Sequence, residues 1–152
     1  MRWTPGLLLF VGVLLFGCAD DAEKKAGYWE QARAYLEKGE LDKAVIELKN
    51  VVKIDAWDDK AYFQLGEIYM AQNELGEAYQ AFQAAVTTND RNLEARLRIG
   101  QILLLAQRAR DAREQAREIL KREPFHMGAS MLLARIFLQE RDLTSAKASL
   151  ER

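Results

Sequence analysis

A helical hairpin that recurs at a constant interval leaves a chain few ways to fold, and this chain of 152 residues repeats one every thirty-four. The clearest copy runs from Ala61 to Val86. Tyr62, Leu65, Gly66, Tyr69 and Met70 fall at helical spacing, the pattern breaks at Asn73-Glu74-Leu75-Gly76, and it resumes at Ala78, Phe82, Ala85 and Val86. Stepping by thirty-four aligns Ala44, Ala78, Ala112 and Ala146; Ala32, Gly66, Gly100 and Ala134; Tyr35, Tyr69, Leu103 and Phe137. Gly66 and Ala78 leave room for two helices to approach closely. Because Gly costs roughly 1 kcal/mol of helix propensity against Ala, packing is the better reason for Gly66. A lone hairpin cannot bury both of its faces, so the copies must stack on one another.

The residues that recur resemble the tetratricopeptide repeat (TPR). Its motif of a large residue, Leu-Gly, Tyr, Ala, an aromatic, Ala and a closing Pro is met in the second copy by Tyr62, Leu65-Gly66, Tyr69, Ala78, Phe82 and Ala85. Departures are Gln31 in place of Leu, Arg96 and Ser130 in place of the first large residue, and a closing proline kept only at Pro124. The resemblance implies an all-α fold, a right-handed α-solenoid of tandem TPR hairpins over residues 25–152, with repeats at about 25–58, 59–92, 93–126 and 127–152, the last truncated. Gly39 is placed to take the left-handed conformation that closes the first helix, and Asn89 or Asp90 to cap the third copy. His126, beside Pro124-Phe125, belongs to an inter-repeat turn. Since a repeat array normally ends on a helix with a polar outer face, the stop at Arg152 implies either the front of a longer array or an end covered by a partner.

Residues 1–17 read as an export signal: Arg2 at the start, the apolar run Leu7 to Phe16, then Gly17. That run is short for a bilayer span, which needs about twenty apolar residues. Leu15-Phe16-Gly17-Cys18 resembles a bacterial lipobox, implying a leader cut before Cys18 and diacylglycerol and N-acyl lipid on that residue; residues 18–24 then form a polar tether. The alternatives are an ordinary signal peptide with an incidental cysteine and an uncleaved anchor. Several acyl chains, at about 0.8 kcal/mol per buried methylene, hold a protein on a membrane. Ala19, rather than Asp, after Cys18 implies the outer membrane with the repeats in the periplasm, the inner membrane being the alternative.

Composition mainly excludes. Cys18 is the only cysteine and His126 the only histidine, so no internal disulfide forms and neither has a soft partner for a metal site. There is no Gly-rich phosphate loop, the acidic residues are periodic on polar faces, and no catalytic constellation or cofactor site emerges. Charge is segregated: residues 19–95 carry net −7 and residues 96–152 net +5. Such a rod is suited to end-to-end self-association or to an acidic partner; the plainer reading is a solvated surface. Arg110, Arg113, Arg117 and Lys121 form a basic stripe, but Asp111, Glu114 and Glu118 interleave with it, and without interleaved aromatics it does not mark nucleic-acid binding.

In the family the first helix of each repeat lines a groove. Carried over by register, its fifth position gives Trp29, Phe63, Leu97 and Met131; its ninth Arg33, Glu67, Gln101 and Arg135; its twelfth Leu36, Met70, Leu104 and Leu138. An apolar ladder beside a polar one suits a protein or peptide partner, while the apolar members equally suit packing between first helices. The expectation is a lipid-anchored, non-catalytic scaffold of an envelope assembly. Residues 34–55 look like the opening repeat of TPR lipoproteins of exopolysaccharide and exosortase (PEP-CTERM) systems. A pilotin-like lipoprotein and an accessory domain of a longer enzyme are the alternatives.

Overall fold

Four residues with positive φ set the architecture: Gly39 (73°), Asn73 (61°), Gln107 (60°) and Arg141 (62°). They are thirty-four apart, and each closes the first helix of a pair by the same hydrogen bonds. The next residue's N–H reaches back to a carbonyl five positions earlier: Glu40 to Tyr35 (2.9 Å), and Glu74 to Tyr69, Arg108 to Leu103 and Asp142 to Phe137 (2.8 Å each). The left-handed residue itself donates three positions back, as Gly39 does to Leu36 at 3.0 Å. Paired bonds of this kind satisfy carbonyls that a helix end leaves open and turn the chain back on itself.

The structure, a computed structural model, describes the backbone of residues 12–151 and the side chains of residues 20–151. Among these residues there are eight α-helices and no strand. Two units divide them, residues 1–56 and 57–152.

The first unit holds α1 (Gly12–Glu37) and α2 (Leu41–Ile54), an antiparallel pair. Its core is Ala32, Ala44, Val45, Leu48 and Val51, with Ala32 and Ala44 fully buried where the two backbones approach. At the open end the Lys25 ammonium meets the Asp55 carboxylate at 2.8 Å, and the Lys43 ammonium lies over the Tyr35 ring, 5.4 Å from its centre. Helix α1 begins well before residue 25, where the repeat array starts, and its backbone takes in the whole of the expected tether, residues 18–24. Ala22, Glu23 and Lys24 favour helix there, Asp20 and Lys24 pair across one turn, and no Gly or Pro interrupts residues 19–26.

The second unit holds three pairs: α3 (Asp59–Ala71) with α4 (Leu75–Thr88), α5 (Leu93–Leu105) with α6 (Ala109–Arg122), and α7 (Met127–Gln139) with α8 (Leu143–Leu150). Each pair packs on the next through α4 on α5 and α6 on α7, and α5 also touches α7. The first helices are capped thirty-four residues apart by Asp58, Asn92 and His126, whose side chains accept the N–H of Ala61 (3.0 Å), Ala95 (3.0 Å) and Ala129 (3.3 Å). His126 therefore holds the inter-repeat turn as expected. The cap of α5 is Asn92 and not Asn89 or Asp90, because the chain makes one further turn before the helix starts. Asn89 instead ends α4, its N–H bonded to Ala85 and its side-chain oxygen accepting from Arg91.

One carboxylate and one guanidinium fasten that turn. Asp59 accepts from the amides of Asn89 (3.0 Å) and Asn92 (2.8 Å), and Arg122 donates to the carbonyl and the carboxylate of Asp90, both at 2.7 Å. Inside, α5 contributes most to the core, burying Ala95, Leu97, Ile99, Gly100, Ile102, Leu103 and Leu104. Phe82 is wholly buried, and a Cβ on Gly66 would lie 2.5 Å from its ring. A Cβ on Gly100 would stand 2.5 Å from Leu132 of α7. The small residues of the repeat thus make room for large ones.

Candidate protein-interaction surface

The residues expected to line a groove fall into two groups. In the first unit, Trp29 and Leu36 are half-buried and Arg33 is exposed, all on α1. The second unit places the others on α3, α5 and α7, where they sort by what they touch.

Several serve packing. Leu97 is 6% exposed and lies against Gly128, where a Cβ would come within 2.6 Å of it, so it offers almost no surface to a partner. Phe63 stacks at a tilt on Phe82, ring centres 5.5 Å apart, and Met70 is half-buried against the same core. The apolar ladder is therefore largely internal. Met131 departs from this, 52% exposed on α7.

The polar ladder is knitted together by a residue outside it. Arg98 of α5 reaches Glu67 of α3 with Nε 2.8 Å from Oε1 and Nη2 3.1 Å from Oε2, and donates through Nη1 to Gln101 at 3.1 Å. Of the two contacts to Glu67, the one from Nη2 is a hydrogen bond and the one at Nε an ion-pair contact. Arg135, at the same register position on α7 as Glu67 on α3 and Gln101 on α5, has no hydrogen-bond or ion-pair partner among the described residues. It lines a cavity of about 530 Å³ with Leu104, Leu105, Gln107, Leu138 and Gln139. Leu105 and Leu138 are more than half exposed there, while Leu104 is a nearly buried floor.

The ninth and twelfth positions named Leu104, Arg135 and Leu138; Leu105 and Gln139 stand one position further on, at the thirteenth, and only Gln107, past the end of α5, lies outside the register. These positions missed Arg98, whose partner lies thirty-one residues away and has no periodic signature.

The basic stripe of α6 is partly neutralised. Lys121 pairs with Glu118 and Arg108 with Asp111, both within α6 or at its cap; Arg113 pairs with Glu140 beyond α7 and lies over the Phe137 ring at 5.2 Å. No shifted carboxyl of the second unit lines the Arg135 cavity. A hydrogen bond from Arg122 holds Asp90 below its usual range, and one from Lys121 does the same for Glu118. Among the described residues no cluster of His, Cys, Asp and Glu could hold a metal ion, and no helix is long and apolar enough to cross a membrane. The Cys18 side chain and the export signal's first eleven residues lie outside the described residues.

Serial helical hairpins, closed by the same left-handed turn and stacked at a fixed interval, define a helical-repeat protein. The chain belongs to the tetratricopeptide repeat family. A TPR repeat model matches residues 32–73, and tetratricopeptide repeat models match residues 59–92 and 97–152. No curated protein sequence matches the chain significantly. Among solved structures it is similar to MamA 41-end from Desulfovibrio magneticus RS-1 (18% identity, TM-score 0.75, covering 84% of this chain and 72% of that one). It is also similar to Pseudomonas aeruginosa pilF (20%, 0.73, 87% and 60%) and to the first TPR of Spaghetti (RPAP3) bound to the HSP90 peptide SRMEEVD (19%, 0.71, 78% and 94%). At these identities the likeness is one of fold, that of TPR solenoids. TPR repeats are protein-interaction scaffolds and are typically non-catalytic; their partners are proteins or peptides.

Proposed function

We propose that this chain is a non-catalytic docking module of the bacterial envelope, carried on a membrane by lipid at Cys18 and holding a protein partner on the first helices of its second unit. The observation that carries the docking site is that Met131 and Arg135 of α7 are both exposed, and Arg135 lines an open cavity, while the equivalent groups on α3 and α5 are engaged within the molecule. The peptide held by the first TPR of Spaghetti, a domain of the same fold, supports a peptide-sized partner. The lipid anchor is supported by the apolar leader ending at Leu15-Phe16-Gly17-Cys18, the outer membrane by Ala19, and a role in exopolysaccharide export by residues 34–55.

A photo-crosslinking amino acid placed at Met131 in cells tests the docking site, with the similarly exposed Ile46 of α2 as control. Adducts to one protein from Met131 and none from Ile46 are expected; equal adducts from both, or none from either, would remove it. Cys18→Ser should move the protein from the membrane to the soluble fraction, and unchanged membrane retention would eliminate the thioether anchor.

A further inference from the structure

We propose that the cavity of about 360 Å³ lined by α6, α7 and α8 is a lipid site, taking one anionic amphiphile with its head on Arg117 and Lys121 and its tail over Leu120, Leu133 and Phe137. This goes beyond the docking reading and is separate from it in space: Leu133 and Phe137 of α7 line this cavity, and neither lines the one beside Arg135.

Two independent features meet there. The first is charge. Arg117 and Lys121 stand one helical turn apart on α6 and border both this cavity and the cleft along the basic stripe. Glu114 and Glu118 line the cleft but not the cavity, so two cations and no carboxylate face the site. Lys121 is paired with Glu118, while Arg117 has no hydrogen-bond or ion-pair partner among the described residues. A guanidinium and an ammonium within one turn suit a phosphate or carboxylate head, which accepts from both.

The second is an apolar floor. Leu120 and Phe137 are half-buried and Leu133 is 7% exposed. Ser149 closes the far side with its hydroxyl already donated to the Ser145 carbonyl at 2.8 Å, so it offers a ligand no free donor. A polar group laid on that floor would lose its hydrogen bonds, whereas an alkyl chain removes leucine and phenylalanine surface from water. Register supplies the contrast. One repeat earlier the two cations are replaced by Gln83 and Thr87, and the floor by Ile99 and Leu103, which are 1% and 4% exposed. Neither the cations nor the opening is therefore demanded by the repeat. An open cavity of this size is on the scale of a small-ligand site rather than a seat for a helix about 10 Å across. The head can come from an anionic phospholipid or from a free fatty acid.

The experiment is photolabelling of the full chain in neutral detergent by three probes that carry a diazirine in the acyl chain: phosphatidylglycerol, phosphatidylcholine and palmitate. Adducts are located by peptide mass mapping. Phosphatidylglycerol or palmitate should label residues 117–121 and 133–137, with about tenfold less labelling there by phosphatidylcholine, and the stronger anionic probe at equal concentration identifies the source. Arg117→Gln should cut the anionic labelling several-fold with the melting temperature unchanged, because its side chain holds no other part of the protein. Arg110→Gln, at a residue that lines the cleft and not the cavity, should leave labelling within about twofold. Equal labelling by all three probes, adducts spread evenly along the chain, no adducts, or equal losses in the two variants would overturn the inference. Crosslinking from Met131 should be unchanged in Arg117→Gln, so the lipid site and the docking surface fail separately.

Discussion

Gln107 and Arg141 occupy a backbone conformation that suits glycine or asparagine, and they do so because the register requires it. At the equivalent positions Gly39 and Asn73 accept positive φ readily, whereas a long side chain there costs about 1–2 kcal/mol. Glycine loses about 0.5–1 kcal/mol more backbone entropy on folding, so Gln107→Gly and Arg141→Gly should each still stabilise by roughly 0.5–1 kcal/mol, read as a rise in the denaturation midpoint. No change, or a loss, would mean that the turns are not closed by these residues. Gly66 runs the other way. Alanine would gain about 1 kcal/mol of helix propensity but press a methyl into the Phe82 ring, and crowding a packed core costs about 1–3 kcal/mol. Gly66→Ala should therefore destabilise. At this scale the sequence was readable where the residue type carries its own conformational meaning. Gly39 announces a left-handed turn; Gln107 and Arg141 announce nothing and are found only by counting.

Helix ends obey caps, and the caps account for what could and could not be foreseen. Asp58, Asn92 and His126 sit in register with Lys24, which accepts no backbone N–H, and α1 runs through that position without interruption. The segment from Thr88 to Asn92 holds four residues able to cap, so composition alone does not choose among them; the spacing of thirty-four from Asp58 selects Asn92. Helix α8 is the short one, and its cap Asp142 accepts from Ser145 at 3.0 Å. Hydrogen bonding to Ser145 lowers the Asp142 carboxyl below its ordinary 3.8. A carboxyl with a folded value below its unfolded one contributes stability above the unfolded value and loses it as pH falls through the folded one. Helix α8 should accordingly fray as acid takes the pH below 3.8, and Asp142→Asn, which caps without titrating, should blunt that loss. Acid unfolding curves of the two proteins that superimpose would show that the cap does not govern this end.

Within the second unit, stability is expected to rise toward the middle, since a repeat gains from each neighbour it touches. Helix α5 packs on α4, α6 and α7 and buries seven residues, whereas α8 buries two. Leu103→Ala should cost about 2–5 kcal/mol and Leu143→Ala, at a side chain 69% exposed, about 0.5 kcal/mol or less in urea unfolding. The thirty-four-residue interval made the helical pairs and most of the core legible, because burial repeats with the backbone. The binding surface was legible only in part. Leu97 and Arg135 stand in the same family of positions, yet one is sealed beneath Gly128 and the other faces open space, a difference set by neighbours on α5 and α7 rather than by residue type.

The most direct test is hydrogen–deuterium exchange of the full chain with and without the partner captured by crosslinking at Met131. Slower exchange confined to residues 101–107 and 131–139, the stretches of α5 and α7 that carry Met131, Arg135 and the cavity lining, is the result expected of a first-helix docking surface. Protection confined to α6, or no protection anywhere, would contradict it.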